Sequence, residues 1–266
     1  MTTFQAIVLG IVQGVSEFLP ISSSGHLILV PELLHWNVHD RAFDVMVHIG
    51  TLLAVIVYFR KKLYAIFQSF LVKKDMTGNR RLSFLICISV IPAGIIGFFF
   101  GDILEYWFRS ATIVACNLIF WGIVLFIADW YGKTYAAKST DVYQLTVRHS
   151  IIIGLAQSIA LIPGTSRSGI TMTAALFQKF SKTAAAEFAF LMSIPITALA
   201  GFSTLYELVK SGVDIGSFSP IIWGGLAAFI SGLCAIWILF AILKKTSFTP
   251  FVIYRILIGV LILLLV

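Results

Sequence analysis

Apolar residues run in long blocks along this chain, and the polar positions between them set the element boundaries. Six blocks, at about 43–59, 82–100, 111–128, 184–206, 219–243 and 250–266, reach the roughly 17–25 residues that a helix needs to cross a bilayer. Two further stretches have a different rhythm. In the first, TTFQAIVLGIVQGVSEFLP is followed by the turn ISSSG and then by HLILVPELL, so short apolar runs flank a Pro/Ser/Gly break. In the second, PGTSRSG separates QSIALI from ITMTAALF. Pieces that short predict the half-helices of a hairpin that enters and leaves by one face, because non-helical backbone at membrane depth must be enclosed by protein. The pattern predicts an all-α polytopic membrane protein with six transmembrane helices and two re-entrant helical hairpins.

The hairpins are related to each other. Subtracting 144 places Gly154 on Gly10, Gln157 on Gln13, Ser166 on Ser22, Ser168 on Ser24 and Gly169 on Gly25, without a gap. Each copy is followed by three spans, and an odd number makes a direct sequence repeat inverted in the membrane. The expectation is a single membrane domain, 1–266, with inverted halves at approximately 1–130 and 149–266 joined by a cytoplasmic loop, 131–148. The hairpin tips can then meet near the midplane.

Composition narrows the class. With 59% hydrophobic and 12% charged residues and a mean hydropathy of +0.98, the chain lies far outside the range of soluble domains. Its net charge of +7 is not a nucleic-acid footprint, because the basic residues sit in short loops between spans. Cys87, Cys116 and Cys234 fall in apolar stretches and read as small buried hydrophobes, with no disulfide framework or thiolate metal site. No basic residue precedes Arg41, which argues against a cleaved signal peptide.

Charge also orients the spans. The segment 60–81, read as a loop, holds Arg60, Lys61, Lys62, Lys73, Lys74, Arg80 and Arg81. Lys and Arg concentrate on the cytoplasmic side, so this loop is placed inside. Alternation brings Lys133, Lys138, Arg148, Lys179, Lys182, Lys244 and Lys245 to the same side, against only Arg41, Arg109 and Lys210 on the other. Both termini are then expected outside. The first hairpin enters from outside and the second from the cytoplasm.

The two copies differ where chemistry would differ. Glu17 and His26 face Leu161 and Ile170, and Arg167 faces Ser23. A carboxylate at membrane depth costs several kcal/mol unless paired, which makes Glu17 a functional candidate, although Arg167 or His26 could simply neutralise it. Ser22, Ser23, Ser24 and Gly25 lead into an apolar helix start, and Thr165, Ser166, Ser168 and Gly169 repeat the arrangement around Arg167. Hydroxyls, free amides and a guanidinium suit a phosphate or diphosphate. An imidazole beside serines serves as base, acid or nucleophile on phosphorus. Asp44 and His48 share a helix face and can pair with each other; Arg255, near a span end, can snorkel, and Glu187 likewise.

These runs, QGVSEFLPISSSGH and PGTSRSG, resemble the two signature motifs of the bacterial undecaprenyl-diphosphate phosphatases, also called bacitracin-resistance proteins. The resemblance extends over essentially the whole chain, including the Ser-Phe-x-Pro-Phe-x-x-Tyr-Arg stretch from Ser247 to Arg255. It implies removal of the terminal phosphate from undecaprenyl diphosphate in the bacterial cytoplasmic (inner) membrane, supplying the lipid carrier for cell-wall polymers. By the same resemblance, the essential serine falls on Ser23, the histidine on His26 and the arginine on Arg167, with Gln13 and Glu17 standing where the family has Glu or Gln, three residues, then Glu. It further implies a divalent cation, Mg²⁺ or Ca²⁺. Gln13 departs from members with two carboxylates, and its neutral amide oxygen is a weaker ligand for a hard cation.

The expected chemistry is hydrolysis of a polyprenyl diphosphate held by both helix starts and Arg167, with Ser23 as nucleophile, His26 as base or acid, and Glu17 orienting the site or holding the metal. Water attack assisted by His26 is an alternative route. A homodimer is compatible with this reading. The rival from another class is an inverted-repeat transporter or flippase that binds the same headgroup without cleaving it.

Overall fold

Both hairpins begin with a threonine. In the computed structural model, which describes residues 1–36, 41–73, 75–108, 110–134, 140–211 and 218–265, the Thr2 hydroxyl accepts from the Gln5 amide, and the Gln5 side chain accepts from the Thr2 amide. Thr146 and His149 form the same reciprocal capping box 144 positions later. The first helix, α1, runs Thr3–Phe18, breaks, and resumes as α2, Ser23–Leu33. Between the hairpins lie α3 (Arg41–Tyr58), α4 (Arg60–Leu71), α5 (Asn79–Phe108) and α6 (Ala111–Thr134). The second hairpin is α7 (Val147–Ile159) and α8 (Arg167–Phe177), and α9 (Lys182–Ser211), α10 (Phe218–Lys245) and α11 (Thr249–Leu265) complete the chain. No strand occurs among the described residues, only an isolated bridge from Thr140 to Phe180.

The class is an all-α polytopic membrane protein. Four helices, α5, α6, α9 and α10, are each long and apolar enough to cross a membrane, and α3 passes only together with α4, from which it is bent by 71°. α11, at 17 residues, is a shorter apolar helix. The expected loop at 60–81 is corrected here. Its first half is α4, which meets α5 where the Phe70 and Phe84 rings lie 6.0 Å apart, and Tyr64, Phe67, Phe70 and Leu71 are exposed. Basic residues masked this helix, because Arg60, Lys61 and Lys62 lie beside an apolar stripe instead of within a solvated loop. Cys87, Cys116 and Cys234 are exposed on the apolar exterior and not buried as expected.

Contacts fix how the hairpins run. Phe4 lies against Trp36, with ring centroids 6.5 Å apart, so the limbs of the first hairpin return to one end. His149 meets Phe180 at 5.2 Å, closing the second. A Cβ on Gly10 would lie 2.2 Å from the Gly224 carbonyl oxygen, and one on Gly154 would lie 2.3 Å from that of Ser89. Matching glycines thus let α1 seat on α10 and α7 on α5, backbone against backbone.

Four basic segments share an end. Lys62 pairs with Glu187 at 2.8 Å and sits 4.1 Å over the Tyr143 ring; Arg81 donates to the Leu145 carbonyl at 2.8 Å, and Lys182 to that of Thr246 at 2.7 Å. Lys133 and Lys182 flank buried Asp129 at 3.5 and 3.7 Å. Glu187 is therefore ion-paired and does not snorkel. The second hairpin opens at this end. The first opens at the other, beside the start of α10. Of the charges used above, Lys74, Arg109 and Lys138 lie outside the described residues.

Candidate active site

The two breaks, residues 19–22 and 160–166, bring the hairpin tips together inside the molecule. Ser22 (φ 76°, ψ 98°) and Ser166 (φ 72°, ψ 108°) take the same left-handed conformation immediately before α2 and α8. For a non-glycine residue this costs on the order of 1–3 kcal/mol, and it turns the chain sharply into each helix. In both turns neighbouring serines touch, Ser22 with Ser24 at 3.2 Å and Ser166 with Ser168 at 3.3 Å. The tips then cross-link: Ser168 Oγ donates to the Leu19 carbonyl at 3.2 Å, and the Gly164 amide donates to Ser24 Oγ at 3.5 Å.

Glu17 is the centre of the polar cluster. One turn of α1 places Gln13 above it, and Gln13 Nε2 donates to Glu17 Oε2 at 3.0 Å. Ser23 Oγ donates to the same oxygen at 2.6 Å. Arg167 Nη2 donates to the other oxygen, Oε1, while its Nη1 donates to Thr197 Oγ1 at 2.9 Å. Residues from both halves therefore converge on one carboxylate that is nearly closed off from the surface, and α9 braces the arginine through Thr197. The space bounded by Glu17, Phe18, Arg167, Ser168, Ala189, Phe190 and Ser193 amounts to only ≈ 10 Å³. That is room for about one water. In this state, Glu17 occupies the guanidinium face that a phosphate would use.

His26 does not join this cluster. Its Nδ1 lies 2.7 Å from the Ser22 carbonyl, which can only accept, so Nδ1 carries the proton. Its Nε2, 2.7 Å from the Tyr254 hydroxyl, then accepts from that hydroxyl, and the two rings stack 8° from parallel. Both nitrogens are engaged, and the hydroxyl of Ser23 bonds to Glu17 instead of to His26. His48 is also placed differently from expectation. Its Nδ1 bonds the Asp44 backbone carbonyl at 2.7 Å, and its Nε2 faces Glu17 Oε2 at 4.0 Å.

Of the expected phosphate ligands, Ser24 is exposed and Ser23 and Arg167 are partly exposed. Ser22, Gly25, Thr165, Ser166, Ser168 and Gly169 are buried around the turns. The cap differs between copies, because Ser166 Oγ accepts from the Gly169 amide at 3.1 Å whereas the Ser22 side chain caps nothing. Arg255 overturns the expectation of snorkelling. It is 1% exposed and donates to five backbone carbonyls, three in the two turns and two on α6. Sequence reasoning assigned no role to Thr197, Asn117 or Tyr254, and Asn117 Nδ2 donates to the Pro163 carbonyl at 2.9 Å. The available signal for Tyr254 and Arg255 was their place in the Ser247–Arg255 stretch and the presence of a guanidinium inside an apolar span.

The residues present do not build a cation site. No group of three or more His, Cys, Asp or Glu side chains with suitable spacing occurs among the described residues. Glu17 has both oxygens engaged, one of them by a guanidinium that repels a second cation. Gln13 Oε1 is buried without a hydrogen-bond partner. A single neutral oxygen beside an occupied carboxylate falls short of the six to eight oxygens Ca²⁺ takes or the octahedron Mg²⁺ requires.

Sequence comparison finds relatives that match this chain over nearly its full length. The chain is 43% identical over 263 residues to an undecaprenyl-diphosphatase of Campylobacter curvus, covering 98% of this chain and 97% of that one. It is 42% identical over 268 residues to an undecaprenyl-diphosphatase of Thioalkalivibrio sulfidiphilus (100% and 99% covered). It is 43% identical over 262 residues to one of Aliivibrio salmonicida (97% and 96% covered). The family described as bacitracin resistance protein BacA matches residues 6–261, and with both hairpin turns inside that match the chain belongs to this family.

Proposed function

We propose that this protein hydrolyses undecaprenyl diphosphate to undecaprenyl phosphate and inorganic phosphate. The observation that carries the reading is the convergence of Ser23 and Arg167 on Glu17 between the starts of α2 and α8. The terminal phosphate takes the Arg167 guanidinium from Glu17, which frees the carboxylate to accept the Ser23 proton. Ser23 Oγ then forms a bond to the terminal phosphorus as the anhydride P–O bond breaks, and undecaprenyl phosphate leaves. Water hydrolyses the phosphoserine, returning the proton to Ser23 and releasing phosphate. Arg167 and the two helix starts offset the charge that develops on the equatorial oxygens. Glu17 thus replaces His26 as the base, since both imidazole nitrogens are already bonded. A divalent cation, where the reaction uses one, would offset charge on the diphosphate, and no step above depends on it.

The surrounding arrangement follows from the same groups. We read the halves, approximately 1–130 and 149–266, as an inverted repeat, supported by the matching caps at Thr2 and Thr146 and the matching turns at Ser22 and Ser166. The shared basic end is placed in the cytoplasm of a bacterial inner membrane, with both termini outside. All the site groups come from one chain, so the chemistry works in a monomer as well as in the homodimer the sequence allows. The flippase rival is disfavoured, because a serine hydroxyl seated on a carboxylate beside an arginine is surplus to binding. Phosphate release from undecaprenyl diphosphate by the purified chain tests the reading. Turnover by wild type that Ser23→Ala abolishes supports it, and headgroup binding without release by well-folded wild type sinks it.

A further inference from the structure

Arg255 is the largest fully buried side chain described, and its environment is unusual for a cation. Among the described residues no carboxylate pairs with it. Its Nε donates to the Leu118 carbonyl at 3.1 Å, its Nη1 to that of Pro20 at 3.3 Å, and its Nη2 to those of Asn117 at 3.3 Å, Gly164 at 3.1 Å and Thr165 at 3.0 Å. Pro20 belongs to the first turn, Gly164 and Thr165 to the second, and Leu118 and Asn117 to α6. One planar group therefore ties three separate segments, as only a rigid fork of five N–H donors can.

We propose that Arg255 is a positioning residue for hydrolysis, holding both turns so that the starts of α2 and α8 aim at one phosphate. The inference rests on the phosphatase reading. The physical reason lies in the peptide planes. Across a trans peptide the C=O and N–H point opposite ways, so holding the Thr165 carbonyl toward Arg255 turns the Ser166 amide away from it. The Pro20 and Gly164 carbonyls fix the backbone leading into the two left-handed serines in the same manner. Without Arg255, the two serine links between the tips and the Asn117 bond to the Pro163 carbonyl would hold the turns with fewer constraints. The charge matters as well. A buried guanidinium bonded only to neutral carbonyls keeps its positive potential beneath the phosphate cradle, whereas Arg167 spends part of its own on Glu17. The neighbouring residue extends the clamp, since Tyr254 holds His26 on the first turn of α2.

The test compares wild type, Arg255→Lys and Gly122→Val in phosphate release, together with thermal protection by orthovanadate. Vanadate adopts the five-coordinate geometry of in-line transfer, so it reads alignment of the cradle without turnover. Lysine keeps the charge but cannot bridge five carbonyls. Gly122 lies on α6, away from the turns, and a Cβ there would sit 3.4 Å from Arg255 Cβ and 3.7 Å from its Nε, so valine crowds the clamp without removing it. For Arg255→Lys, kcat per folded molecule is expected to fall about 10²-fold, the scale of a 1 Å misplacement, with KM little changed and vanadate protection lost. Gly122→Val shows the same split at smaller size and carries the test if Arg255→Lys does not fold. Unchanged kcat per folded molecule, or equal vanadate protection in wild type and variants, overturns the proposal. Wild type without phosphate release sinks the phosphatase reading, and vanadate protection then judges Arg255 by itself.

Discussion

The turn before α2 and the turn before α8 share a backbone and differ in side chains. Ser22 and Ser166 have φ and ψ within about ten degrees of each other, and each is followed by a helix of 11 residues. Yet the first turn is flanked by Glu17, Ser23 and His26, and the second by Leu161, Arg167 and Ile170. Their caps differ too, for the Gly169 amide is held by Ser166 while Ser22 leaves its own turn uncapped. One turn carries the carboxylate and a hydroxyl, and the other carries the guanidinium. Two identical turns would make a symmetrical cradle; the unlike side chains make it asymmetric, as the proposed hydrolysis requires.

The strongest way to break the comparison is to remove its unlike partners. Arg167→Ala is expected to lower kcat/KM by at least ~10³, the upper range for loss of one transition-state donor, and Ser23→Ala by a similar factor. Adding Glu17→Ala to Arg167→Ala should cost much less than the single changes predict, because each alone strands the other's charge. Phosphate release by the single and double variants measures this.

A smaller effect sharpens the division of labour at His26. If it braces the turn, His26→Asn costs about tenfold, the equivalent of one ~1.4 kcal/mol hydrogen bond, and Tyr254→Phe matches it. An acid or base would instead lose ~10² to 10⁴, with Tyr254→Phe much milder. Smaller again are the two links between tips. Ser24→Ala and Ser168→Ala each remove one of them, for about 1 kcal/mol. That should lower Tm by about 2–4 °C in a chain of this size, read by thermal unfolding in detergent.

The smallest effect lies outside both turns and serves as a control. Hydrogen bonds from the Thr77 hydroxyl and the Arg80 amide hold the Asp75 carboxyl below its ordinary value at the start of α5. A depressed carboxylate stabilises the fold above the ordinary carboxylate range and loses that contribution as pH falls through its lowered value. Asp75→Asn should therefore cost a little Tm at pH 7 and nothing in strong acid, while turnover per folded molecule stays unchanged.

Much of this was legible in the sequence, for identifiable reasons. The break positions were visible because Pro20, the serines and Gly164 interrupt apolar runs, and the shared basic end because lysines and arginines mark the loops. What escaped were properties of the assembled site. Arg255 sits near a span end, where snorkelling is the reasonable expectation, and only the arrival of two turns supplies carbonyls enough to bury it. His48 shares a helix face with Asp44, but its ring turns across to α1. His26 follows three serines in sequence, and its true partner is 228 positions away. Long-range pairings of this kind have no local signature. The α4 helix was missed for the opposite reason, since its basic residues are a strong local signal that usually marks a loop.

The ion pair between Glu17 and Arg167 joins residues 150 positions apart. A ribosome adding about 5–20 residues per second makes the first hairpin on the order of ten seconds before the second. Throughout that interval the carboxylate sits on a finished first hairpin whose arginine partner has not yet been synthesised. The order of synthesis thus sets a demand on the newborn chain: Glu17 must stay near water, or stay protonated, until the second hairpin brings Arg167 to it.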